Sequence, residues 1–162
     1  MLPEELFAKL APSVFVVQSL DADGKLISSG SGVVVTPGHV VTNKHVVREG
    51  LAIRVKHVKY AWPAKLTHLD PNHDVCQLFA ENLEAPPVPL RDYSSLTVGE
   101  RVYAIGAPEG FDLTLSEGLI SGLRRRAGTN VIQTTAPISH GSSGGGLFDS
   151  EGRLLPKSGV IE

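Results

Sequence analysis

The chain holds one cysteine, Cys76, so no intramolecular disulfide can form and the fold must be held by its core. That residue lies in an apolar run, Val75-Cys76-Gln77-Leu78-Phe79, where it reads as a small buried hydrophobe rather than a reactive thiol. No apolar run approaches the roughly 18 residues that a membrane-crossing helix requires. Excess charge is missing too. The 15 Lys and Arg against 17 Asp and Glu give a formal net charge of -2, which excludes a strong field toward nucleic acid or an anionic membrane. The opening Met1-Leu2-Pro3-Glu4-Glu5 carries acids where a secretory signal would carry Lys or Arg, and no h-region follows. A cytoplasmic location is expected if Met1 is the native start; otherwise a targeting segment has been removed.

The 162 residues fit one compact domain or two small barrels sharing an interface. Pro3 to Leu10 predicts a short helix, with Pro and two acids in its first turn and Pro12 ending it. Short β segments follow, separated by Gly, Pro, Asn and Asp. They are expected at Val14 to Val17, Lys25 to Val35, Val40 to Thr42, Leu51 to Lys56, Ala61 to Leu69 and Val75 to Phe79, with a hairpin turn at Asp21-Ala22-Asp23-Gly24. Consecutive prolines in Ala85-Pro86-Pro87-Val88-Pro89 cannot enter a central sheet and mark a connector between two halves. The second half predicts strands at Arg101 to Ile105, Leu113 to Leu123, Val131 to Thr135, Gly145 to Asp149 and Arg153 to Leu155. Evenly spaced strands with turn signals argue for a sandwich or barrel. The run Arg124-Arg125-Arg126 reads as a solvated hairpin tip.

Three segments carry chemistry. In Gly141-Ser142-Ser143-Gly144-Gly145-Gly146, glycines around a serine allow a tight turn whose amides point at a developing oxyanion. A serine hydroxyl also needs a base, and His45, after the apolar strand Val40-Val41-Thr42, can take its proton and return it to a leaving group. Asp74, at the mouth of the apolar run from Val75, can orient that histidine and stabilise its charged form. Asp70 competes, but Asp70-Pro71-Asn72 is turn chemistry, which makes Asp70 a turn cap. The chain order His, Asp, Ser separates this arrangement from those of subtilisin and the α/β-hydrolases. His45 and Asp74 precede the Pro-rich connector and Ser143 follows it, so a cleft between two halves would hold the site.

With these residues in hand, Ser29-Gly30-Ser31-Gly32-Val33-Val34-Val35, Val41-Thr42-Asn43-Lys44-His45-Val46-Val47 and Ile132-Gln133-Thr134-Thr135-Ala136-Pro137-Ile138 leading into Gly141-Ser142-Ser143-Gly144-Gly145 resemble the HtrA/Deg-type branch of the trypsin-like peptidases. The resemblance runs to about Leu155. It implies an all-β fold: two packed antiparallel β-barrels of chymotrypsin-like type behind a short N-terminal helix, the first over about 11–85 and the second over about 95–162. It implies peptide-bond hydrolysis of polypeptide substrates through an acyl-enzyme. Ser143 would attack, His45 would serve as base and then acid, and Asp74 would hold His45. The N–H groups of Gly141 and Ser143, helped by Ser142, would form the oxyanion hole. Pro137, Ile138, Ser139 and His140 would line part of the substrate pocket, and they include no acid to favour Lys or Arg. A periplasmic or cell-envelope location goes with the same resemblance. Ser142 lacks the charge that pairs with a freed N-terminus in many secreted relatives, which argues against activation by N-terminal cleavage.

The pattern departs at the C-terminal end. A strand should follow Asp149 to Leu155 and another should close the second barrel, yet the chain continues as Pro156-Lys157-Ser158-Gly159-Val160-Ile161-Glu162. The second barrel is therefore expected to lack its last strands. That fits a truncated product, completion by an oligomer partner or a swapped segment, or a catalytically weak or inactive module that binds peptides or partner proteins. Weak or absent turnover is the expectation, and no PDZ-like region follows. A metal site from His68, His73 and Asp70 or Asp74 matches no recognised zinc spacing, so neither metal nor cofactor is called for. His39 and His57 are expected at the surface, Tyr60 and Trp62 in packing, and Phe111 in packing or substrate contact.

Overall fold

The structure, a computed structural model, describes residues 1–107, 112–138 and 146–156, and the backbone of 160–161. Helix α1 spans Pro3–Leu10, with Pro3 and two acids in its first turn and Lys9 in its last. Glu5 Oε1 accepts the Leu2 N–H at 3.2 Å, satisfying an amide the helix leaves unpaired. Leu6 and Leu10, four residues apart, form its buried face. Pro12 does not end the helix abruptly; it sits inside a 3-10 turn, Ala11–Ser13, that delivers the chain to the first strand.

Six strands close into a barrel: β1 Val14–Leu20, β2 Leu26–Thr36, β3 His39–Thr42, β4 Ala52–His57, β5 Tyr60–Leu69 and β6 Cys76–Phe79, in the order β1-β2-β3-β6-β5-β4. Every pairing is antiparallel. The β1–β2 hairpin turns where Asp21 Oδ1 accepts the Asp23 and Lys25 N–H groups, both at 2.9 Å. Alternate side chains point inward and build one core from Phe15, Val17, Val34, Val40, Val55, Cys76 and Leu78. Trp62 meets Phe15 edge-on at 5.7 Å, the packing role expected of it.

The second half is a curled half-barrel: β7 Arg101–Gly106, β8 Thr114–Arg126, β9 Thr129–Thr134, β10 Gly146–Asp149 and β11 Val160–Ile161, in the order β10-β7-β8-β9-β11. Val102, Ile120, Ile132, Ala136, Leu147 and Leu155 form its core. A third cluster fills the seam. Leu6, Leu10, Val14, Val33, Val88, Tyr103, Ile105, Phe148 and Leu154 bring α1, both halves and the connector together. Val88 is buried and donates its N–H to Val34 O at 2.9 Å, so the Pro-rich connector is packed rather than loose. Burying a side chain such as Phe148 there stabilises the union by about 1.5–3 kcal/mol.

One expectation needs correction. Arg153 to Leu155 is not a strand; Leu154 makes only isolated bridges, to Leu90 and Phe148. Asp149 Oδ1 accepts the N–H groups of Glu151 and Arg153 and curls the chain, with Gly152 at φ 84°. Leu154 then spends its backbone groups on the connector: its N–H reaches Pro89 O and its carbonyl accepts Arg91 N–H. Beyond Pro156, Val160 lies opposite Ile132 and Ile161 opposite Gln133 in a short parallel pairing, and among the described residues the second sheet stays open, as expected.

Candidate active site

Strand β3 sets the position of His45. Its partner β6 places Thr42 opposite Cys76, so the three residues after Thr42 and the two before Cys76 emerge side by side at one end of the barrel. After Asn43 the chain makes one helical turn, α2 Lys44–Val47. Val46 and Val47 are buried in the barrel core, which turns His45 outward with 43% of its side chain exposed.

Asp74 meets His45 with both carboxylate oxygens. Oδ1 accepts the His45 backbone N–H at 2.9 Å, and Oδ2 is in hydrogen-bond contact with His45 Nδ1. Asn43 Nδ2 donates to the Asp74 carbonyl at 2.6 Å and fixes the backbone behind the carboxylate. A carboxylate only accepts, so Nδ1 carries the proton and Nε2, across the ring, is the basic nitrogen. Burial works to raise the Asp74 pKa, but hydrogen bonds from the His45 ring and from the His45 and Lys44 N–H groups outweigh it. The carboxyl is held below its ordinary value of 3.8. It is therefore ionised wherever an imidazole can work as a base.

Asp70 has the turn role expected of it. Its Oδ1 accepts the N–H groups of Asn72 at 2.9 Å and His73 at 3.2 Å, and Oδ2 receives His73 Nδ1 at 3.0 Å. The Asn72 N–H, then the His73 ring, lower its pKa. Lys44 Nζ donates to the Asp70 carbonyl at 2.6 Å, so this turn and α2 are tied at a second point. His73 also spans the two halves, with Nε2 lying 3.1 Å from Thr129 Oγ1. His68 is exposed on β5. His39 and His57, expected at the surface, are half-buried: His39 packs on Phe79 and His57 on Phe15.

In the second half, β8 and the chain after β9 nearly touch. A Cβ on Gly118 would lie 2.2 Å from Ala136 N, so only glycine lets them pass. Ser116 Oγ donates to the Pro137 carbonyl at 3.3 Å, and Pro137 and Ile138 are exposed. The remaining expected residues, Ser139, His140, Gly141, Ser142 and Ser143, lie outside the described residues, as does Phe111. Ser31 and Asn43 appear in the sequence motifs without an assigned role, yet each holds a neighbour of the site in place. Asparagine before a helical turn reads as a cap; here its amide instead grips a residue 31 positions away.

An imidazole oriented by an ionised carboxylate can serve as a general base toward a hydroxyl or water. Comparison with known proteins gives this chemistry a context. The family model for the trypsin-like peptidase domain matches residues 30–155. Protease Do-like 1, chloroplastic, of Arabidopsis thaliana is 42% identical over 142 residues, covering 78% of this chain and 32% of that protein. A probable periplasmic serine endoprotease DegP-like of Pseudomonas putida is 39% identical over 134 residues, covering 79% of this chain and 28% of that protein. The crystal structure of Deg5 matches with a TM-score of 0.80 at 34% identity, over 93% of this chain and 80% of that one. The chain spans less than a third of the length of either curated relative.

Proposed function

The chain belongs to the trypsin-like peptidase family, with HtrA/Deg-type relatives, and from that premise we propose that it is a serine endopeptidase acting through an acyl-enzyme. Ser143 attacks the peptide carbonyl, His45 takes its proton and passes it to the leaving amine, and Asp74 keeps the His45 ring in the working tautomer. The N–H groups of Gly141 and Ser143, in a segment that also includes Ser142, stabilise the oxyanion. Pro137, Ile138, Ser139 and His140 contribute to the substrate pocket. The observation that carries this reading is the two-point grip of the Asp74 carboxylate on the backbone and ring of His45.

A fluorophosphonate probe tests it. Wild type labels at Ser143, and both His45→Ala and Ser143→Ala abolish labelling. Wild type left unlabelled, or labelled equally without His45, overturns the reading.

The open second sheet favours a further reading of the same site. Among the described residues it has five strands and does not close, whereas the first half is a closed barrel. On this reading the chain binds peptides or a partner protein and turns over slowly. A partner chain or second copy that pairs with the open sheet edges would complete the second half. Ser143→Ala separates the two, since it ends hydrolysis and spares binding. The chloroplastic and periplasmic names of the relatives support an envelope-type location, to be tested by fractionation. No helix among the described residues is long and apolar enough to cross a membrane.

A further inference from the structure

We propose that His73 is a positioning residue for the Asp74 carboxylate, acting as a strut between the turn that carries Asp74 and Thr129 on the β8–β9 hairpin. The inference rests on the protease reading for the reaction it serves, but its geometry is independent of Ser143.

The turn needs such a strut. Asp70 N–H to Val75 O at 3.1 Å closes its base, while Pro71 and Asn72 are exposed and no side chain of the turn enters the barrel core. Apolar packing therefore does little to hold Asp74, and polar contacts must do it. Asp70 and Lys44 supply some of them within the first half. His73 supplies a contact that crosses to the second half, 56 residues along the chain.

The order of hydrogen bonds is dictated by chemistry. The Asp70 carboxylate has no proton, so His73 Nδ1 donates to it and the ring is aimed by that bond. In the neutral ring Nε2 then accepts the Thr129 hydroxyl proton. In the charged ring Nε2–H donates to the same oxygen. The contact survives either protonation state, which suits a strut and not a switch. The side chains are partly shielded, His73 at 30% exposure and Asp70 at 34%.

The consequence is registration of the two halves beside the site. His45 and Asp74 come from the first half, and Ser143 lies in the sequence between β9 and β10 of the second. An error of about 1 Å in such a register is worth roughly 100-fold in rate. A strut one residue from Asp74 limits that error.

The test uses the full chain and two readouts. The first is the low-field proton resonance of the His45–Asp74 hydrogen bond, identified by its loss in His45→Ala and Asp74→Asn. The second is the rate of Ser143 labelling. Thr129→Val is expected to shift or broaden the resonance and to slow labelling about tenfold, below the limit for a full 1 Å displacement. Thr129→Ser restores both, and His73→Gln with Thr129→Val is no worse than either alone. Should Thr129→Val fold poorly, His73→Gln alone carries the same expectation. A resonance unchanged in both Thr129→Val and His73→Gln overturns the strut. A resonance that responds while Ser143 never labels supports the strut and overturns the protease reading alone.

Discussion

Ser31 Oγ accepts the backbone N–H of Ala107 at 2.8 Å, a buried hydrogen bond that joins strand β2 of the barrel to the residue just after β7 of the second half. Ser31 is fully buried, and its own carbonyl accepts the Thr42 hydroxyl at 2.7 Å, one strand from His45. Serine does here what a larger polar residue could not: it passes between packed strands and still offers an acceptor. Ser31→Ala leaves the Ala107 amide buried without that partner. The expected loss is about 1–3 kcal/mol of unfolding free energy, read from urea denaturation with an unchanged slope. A loss below about 0.5 kcal/mol, the scale of an ordinary surface change, would show the pin to be dispensable.

Asp74→Asn keeps the size of the side chain and changes what it can do to His45. The amide presents an N–H as well as an oxygen, so the ring can turn its bare nitrogen inward and lose the tautomer in which Nε2 is basic. Such a swap lowers kcat by about 10⁴-fold in a serine protease triad, and the triad proposed above predicts the same fall here with little change in KM. Steady-state kinetics on a peptide substrate, with circular dichroism to show an intact fold, checks it. A fall in kcat of less than tenfold would mean that Asp74 does not orient the base. Since Asp74 is held below its ordinary value, its own titration is not expected to set the acid limb of the activity profile.

The β-strand pattern was legible in the sequence because it is local. Alternating apolar residues, the turn at Asp21 and the Pro-rich connector each act over a few positions, and the strands fall within a few residues of expectation. The turn role of Asp70 was legible for the same reason, since Asp-Pro-Asn is turn chemistry and the structure uses Asp70 in its own turn. The bonds that join distant segments were not legible. Ser31 to Ala107, Asn43 to Asp74 and His73 to Thr129 span 76, 31 and 56 positions, and nothing in a serine, asparagine or histidine names its partner. Arg153 to Leu155 failed as a strand because Asp149 redirected its backbone, a side-chain effect that a hydrophobic pattern does not contain.

Gly118→Ala tests how closely β8 and the chain after β9 must pass. The added methyl would sit 2.2 Å from Ala136 N and 2.6 Å from Ala136 Cα, both backbone atoms that cannot swing aside. Separating them moves the segment that leads to Pro137 and Ile138. Overpacking of this kind destabilises by about 1–3 kcal/mol, and the displaced segment is expected to raise KM as well. Gly128→Ala offers a contrast, because nothing lies within 4 Å of its Cβ and only its φ of 79° opposes the change. Equal stability of Gly118→Ala and wild type in thermal melts would refute the close approach.

Arg91 holds the connector to the second half through a buried charge cluster. Its guanidinium makes a forked contact with Glu100, with Nη2 at 3.0 Å from Oε2 and Nη1 against Oε1, and Nη1 also reaches Asp149 Oδ2 at 3.2 Å. Arg91 and Asp149 are nearly enclosed, with 12% and 3% of their side chains exposed. Arg91→Met leaves Glu100 without its cation, while Asp149 keeps Arg153 Nε on Oδ2 at 2.7 Å, and it is expected to cost about 1–3 kcal/mol of unfolding free energy. Glu100→Gln isolates one acid by its pH dependence. The Arg91 hydrogen bond, with help from the Thr97 N–H, overcomes burial and holds Glu100 below its ordinary value of 4.5. A carboxylate lowered in the folded state stabilises the fold fully above 4.5, and that contribution is lost as pH falls through the lower folded value. The stability gap between wild type and Glu100→Gln should therefore be flat above about pH 5 and should close steadily below pH 4.5. Urea midpoints across that range give the gap directly, and the shared response of Asp70 and Asp74 cancels in the difference. A gap that widens on acidification would place the Glu100 pKa above its ordinary value and remove Arg91 as its partner.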